Sequence, residues 1–88
     1  MAPQRNNVAE LISSLQQQHD ELALQIHLAE LRAKQEFEST ETQLHALTQG
    51  FAPIREAVDE SAANVLTACM LVGEEVADSF RRIQASLA

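Results

Sequence analysis

From Ile54 to Leu87 apolar residues return at every third or fourth position: Ile54, Val58, Ala62, Val65, Cys69, Val72, Val76, Phe80, Ile83, Leu87. Steps of three and four mark one face of an α-helix, and the alternation of a strand plays no part in the pattern. The spacing predicts a helix over about 53–87, with one apolar face that must be covered by something.

The preceding stretch repeats the pattern. Val8, Leu11, Ile12, Leu15, His19, Leu22, Ile26, Ala29, Ala33, Phe37, Thr40, Leu44 and Leu47 form a stripe that predicts a first helix over about 7–49. Asn7 with Glu10 three residues later reads as a capping box at its start. Residues 1–6 have little to bury and read as a disordered N-terminus. Ile26 and Phe37 lie eleven residues apart, as do Ile54 and Val65, Val65 and Val76, and Val76 and Leu87. An eleven-residue period is close to 3.67 residues per turn, which keeps packed helices nearly straight.

Between the helices, Gly50 suits a left-handed helix end, Phe51 and Ala52 form the crossover, and Pro53 suits a first helical turn. So short a connection forces the helices antiparallel. The expected fold is an all-α two-helix hairpin in a single domain over 7–88. At about 1.5 Å per residue the first helix would be roughly 60 Å long and the second roughly 50 Å. Val8, Leu11, Ile12 and Leu15 would then overhang the second helix and form an exposed contact site for a partner or an oligomer. The apolar face also widens in the middle of each helix, which implies two neighbours. Two hairpins are therefore expected to self-associate into a four-helix bundle through Leu22, Leu24, Ile26, Leu28, Leu31, Val65, Leu66, Met70, Val72 and Val76. A homodimer or homotetramer follows from this expectation. A chain of 88 residues has little interior of its own, and one cysteine, Cys69, excludes an internal disulfide framework.

The charge bounds the partners. Thirteen acidic residues against six basic ones give −7, the wrong sign for phosphate backbones or anionic membranes. Nucleic acid is excluded on this ground and a membrane is disfavoured. The opening residues lack a signal-peptide pattern, and Gly73-Glu74-Glu75 interrupts the longest apolar run, so a cytoplasmic location is expected.

No pattern points to catalysis. A bundle metal site wants Glu-x-x-His, but Gln16, Leu24 and Thr42 precede His19, His27 and His45 by three. Glu41 and His45 lie one helical turn apart and could share a surface cation; His19, on the core stripe, reads as a half-buried structural residue. Glu74 and Glu75 point about 100° apart on a helix and do not converge. Cys69 reads as a buried thiol, with cross-linking at a two-fold axis as the alternative. Gly73 is costly in a helix and reads as a site of close approach or a kink. No catalytic residue, cofactor or metal is expected.

Two stretches carry a resemblance: Asp20-Glu21-Leu22 through Gln25-Ile26-His27-Leu28-Ala29 with Ala33-Lys34 and Glu36-Phe37-Glu38, and Leu71-Val72-Gly73-Glu74-Glu75-Val76 with Ser79-Phe80-Arg81-Arg82-Ile83. Together they resemble a family of small bacterial helical-hairpin proteins labelled uncharacterised or stress-response coiled-coil proteins. The likeness spans about 20–87. It departs from the family at Phe37 and Phe80, where Trp and Tyr are usual, and in having fewer lysines. The resemblance implies a hairpin and a link to stress, with no substrate or cofactor. The resulting reading is a non-enzymatic oligomeric hairpin acting through protein–protein contacts, with a lipid-surface amphipathic protein as the alternative.

Overall fold

In the computed structural model, which describes residues 5–54 and 61–87, the chain folds into three helices rather than two. Helix α1 spans Arg5–Gln25, α2 spans Leu31–Phe51 and α3 spans Ser61–Leu87. Short 3-10 turns at Ile26–Leu28 and Ala52–Ile54 follow α1 and α2. The two-helix hairpin is therefore corrected. A first helix of roughly 60 Å does not fit a molecule whose longest extent is 45 Å. The four-helix arrangement falls with it, because the second neighbour of each apolar face is a helix of the same chain. Helix α3 packs along both α1 and α2, which touch each other less.

The interior follows one rule in all three helices. In α1 the residues facing inward are Val8, Ile12, Leu15, His19 and Leu22, continued by Ile26 of the 3-10 turn; in α2 they are Ala33, Phe37, Thr40, Leu44, Leu47 and Phe51. In α3 they are Ala62, Leu66, Cys69, Gly73, Val76, Phe80, Ile83 and Leu87. Every step alternates between four and three, the seven-residue repeat of left-handed bundle packing. The eleven-residue reading of the second helix is thus corrected: Leu66 and Gly73 sit on the seam, while Val65 and Val72 lie beside it, 39% and 38% exposed. The physical reason is Gly73. An inventory of apolar side chains passes over a glycine and takes its valine neighbour instead.

In the first half of the chain the eleven-residue spacing has another meaning. From Ile26 the steps run three, four, four to Phe37, where the seven-residue rule needs three, four, three. That slip lies where the helix breaks. Ala29 and Glu30 are extended (ψ 165° and 156°), and α2 restarts at Leu31 with no side-chain cap on its N-terminus. No glycine, proline or capping residue marks the turn, so composition gave no sign of it.

The second connection differs from expectation as well. Gly50 has no positive φ and lies inside the last turn of α2. Phe51 belongs to the core at 6% exposure rather than to a crossover. The Arg5 Nε–H donates to the Ile54 carbonyl at 3.2 Å, tying the start of α1 to the end of the 3-10 turn. At the N-terminus, Arg5 and Asn6 are already helical, so α1 opens before Asn7. Pro53, expected in the first turn of the second helix, lies in the 3-10 turn Ala52–Ile54, and the part of that helix expected over 55–60, with Val58, lies outside the described residues.

Candidate functional site

Two places stand out, one between the helices and one at an end. The first is His19, one turn before the end of the α1 seam. Its ring stacks on Phe37 (centroids 5.2 Å apart, planes at 16°) and lies 6.4 Å from Phe80. Phe37 and Phe80 are 6.3 Å apart, so the three rings join all three helices at one level. Offset ring stacking of this kind adds to plain area burial. The His19 Nε2 is 2.6 Å from Glu41 Oε2 on α2, and Nδ1 is 3.1 Å from Asp20 Oδ1. Two carboxylates facing two ring nitrogens suit the imidazolium, in which both nitrogens donate. Burial of the ring pulls its pKa down. The hydrogen bonds and charges of Glu41 and Asp20 outweigh that and leave it above the ordinary 6.5.

Beside this contact Gln16, His19, Asp20, Glu41, Leu44, His45 and Thr48 line an open cleft of about 350 Å³ between α1 and α2. Glu41, one helical turn from His45, is turned to His19. Among the described residues no three His, Cys, Asp or Glu side chains come together as a metal site. Nor do the described side chains leave a buried polar atom unpaired: Thr40, the one buried polar residue of the interior, donates to the Glu36 carbonyl at 2.8 Å. Cys69 is a buried free thiol, and burial pushes its pKa up, away from the thiolate. Glu74 and Glu75 are exposed on α3. Asp78 pairs with Arg81 at 3.0 Å, and Arg82 reaches Glu36 on α2 at 3.3 Å.

The second place is an aliphatic edge around the first turn. Leu24 is 76% exposed, Leu28 82% and Leu31 69%. Leu71 and Val72 are also exposed, but away from this turn, where the adjacent Gly73 of α3 faces Leu11 and Leu47. The structure thereby divides the residues expected to self-associate. Leu22, Leu66 and Val76 are inside the chain's own core, Ile26 and Met70 are half-buried against it, and Leu24, Leu28, Leu31, Val65 and Val72 remain outward.

The overhanging stripe meets the opposite fate. Val8, Ile12 and Leu15 are buried and Leu11 half-buried, because α3 runs alongside α1 and covers them. Leu11 also explains Gly73. A Cβ at position 73 would stand 2.5 Å from Leu11 Cδ2 and 3.2 Å from its Cγ. The glycine admits a leucine from the neighbouring helix, a contact that local spacing gave no means of finding.

No helix among the described residues is long and apolar enough to cross a membrane. The open amphipathic stripe that a lipid-surface protein would lay on a bilayer is turned inward, which removes the basis of that reading. No family model, curated protein or solved structure matches this chain.

Proposed function

We propose that the chain is a non-enzymatic interaction module of the cytoplasm, a three-helix bundle whose contact surface is the aliphatic edge at its first turn. One observation carries this reading: Leu24, Leu28 and Leu31 are each more than two-thirds exposed within eight consecutive residues. Aliphatic side chains clustered in this way lose free energy to water, roughly 1.5–3 kcal/mol for each that could be buried instead. Such patches characterise contact sites. The free, unreactive Cys69 and the acidic balance accord with a reducing, aqueous compartment. Among the described residues the bundle interior holds a packed aromatic cluster of His19, Phe37 and Phe80.

A photoreactive amino acid placed at position 28 tests the reading in cells. A covalent adduct is expected, either at twice the 9.7 kDa of the chain or heavier. The same residue at the exposed position 67 of α3 serves as the control. Adduct formation no greater at 28 than at 67 would remove the basis of the proposal.

A further inference from the structure

The chain carries −7 in all, but the charge is unevenly placed. Residues 21–34, which hold the first turn, contain Glu21, Glu30, Arg32 and Lys34 and are neutral, so the whole of the −7 lies outside them. The signs are also divided between the two sides of the turn. Glu21 stands on α1, whereas α2 and its entry set Arg32 and Lys34 against the one carboxylate of Glu30. Two copies of an acidic protein repel each other where like charge meets like. At this turn the local charge sets nothing against their contact.

Leu24, Leu28 and Leu31 stand within that neutral stretch, on the side away from α3. Glu21 and Gln25 border the groove between α1 and Gln84 of α3, and Glu30 and Arg32 border the one between α2 and Ser86, but none of the three leucines lines either groove. Three leucines exposed to this degree present a few hundred Å² of apolar surface, the limit of what a soluble monomer leaves in water. Packed on a second copy, they supply the apolar centre of a standard interface of about 800 Å² per partner, and the flanking charges supply its polar rim.

An isologous contact sets each part of a patch on another part of the same patch in the partner. With a two-fold axis at Leu28, the α1 side of one edge meets the α2 side of the other. Leu24 then packs on Leu31 of the other copy, Leu28 packs on Leu28, and Glu21 comes near Arg32 of the other copy. Opposite signs meet, which fixes the register more than it adds affinity. One helical turn before Leu24, Asp20 lines the acidic cleft together with Glu41. Overlap reaching that far would set carboxylate on carboxylate, so the contact is confined to the turn. Each copy keeps its own three-helix core, with Val8, Ile12, Leu15 and Leu22 covered by their own chain.

We infer that this protein pairs with a second copy of itself by packing the folded first turn, through Leu24, Leu28 and Leu31, on the same turn across a two-fold axis. The inference rests on the contact surface proposed above and names its partner.

Sedimentation of the full chain tests it. The mass is expected to rise with concentration from 9.7 kDa to twice that value. Leu28→Glu and Leu28→Lys each set like charges at the axis, and each is expected to stay at the single-chain mass. Their helix signal is expected to be unchanged, because Leu28 is exposed in the single chain. Mixed in equal amounts, the two variants are expected to restore the dimer, since unlike charges then meet. Should either lose its helix signal, Leu24→Glu and Leu31→Lys take their place, each at the single-chain mass alone and paired on mixing. A dimer that persists in the separate variants, or a mixture that stays at the single-chain mass, overturns the two-fold contact at this turn. So does a wild-type chain at the single-chain mass at every concentration. In that case a position-28 adduct heavier than twice the chain mass leaves the contact surface standing, and an adduct no stronger than at position 67 removes that as well.

Discussion

Two aliphatic stripes of similar composition meet opposite fates in this molecule. Val8, Ile12 and Leu15 lie in the buried seam, while Leu24, Leu28 and Leu31 stand in water at the first turn. Both are spaced four and three along the chain. The difference is entirely one of neighbours. The turn at Ile26–Glu30 folds α1 back so that its seam face, Leu22 at its end included, is buried, while Leu24 lies on the opposite side of the same helix. Hydrophobicity and spacing state that a face must be covered, and the path of the chain decides which face is.

The sharpest way to break that comparison is to truncate one residue from each stripe. Leu15 is fully buried, and Leu15→Ala is expected to cost about 2–5 kcal/mol, from lost transfer energy and a residual cavity. Leu28→Ala on the outward stripe is expected to change the stability of the single chain by no more than about 0.5 kcal/mol. Urea denaturation of both variants at low protein concentration measures the contrast, and equal costs would contradict the placement of the first turn.

A smaller effect sharpens the buried side. Gly73→Leu adds volume where Leu11 already stands and is expected to destabilise by about 1–3 kcal/mol. Pairing it with Leu11→Ala should recover part of that loss, and the coupling is read by a double-mutant cycle. If the two substitutions simply add, α1 does not lie against position 73.

His19 supplies a weaker, pH-dependent term that also requires α1 to be folded back. Its pKa is raised in the folded chain, so its contribution to stability is fully present below the ordinary value of 6.5. That contribution is lost as pH rises through the higher folded value. Glu41→Gln removes the charge that faces Nε2 and is expected to flatten the dependence of Tm on pH across this window. A slope unchanged by the substitution would place the effect elsewhere. The smallest effect is at Arg82, whose contact with Glu36 is exposed on both sides. Arg82→Ala is expected to alter the stability by no more than about 1 kcal/mol, and less at high salt.

Much of this architecture was legible before the structure. The all-α class, the inward position of Leu22, Phe37, Leu44, Leu47, Cys69, Val76, Phe80 and Ile83, and the half-burial of His19 all follow from steps of three and four. The break between α1 and α2 was not read as a break. Its trace was the phase slip between Ile26 and Phe37, which a continuous helix also accommodates, and residues 25–34 are good helix formers throughout. The His19–Glu41 contact joins residues 22 positions apart on different helices, so spacing along one helix could not reveal it.

The sequence by itself determined that the chain is helical and that each helix carries a face to bury. These follow from local periodicity and propensity, which depend only on neighbours in the chain. The tertiary structure decided how many helices there are, which leucines are inside and why position 73 is glycine. A turn at Ala29–Glu30 gives up few local hydrogen bonds, whereas folding back buries the whole α1 seam against α3. That gain comes from surfaces distant in sequence, and no local rule contains it.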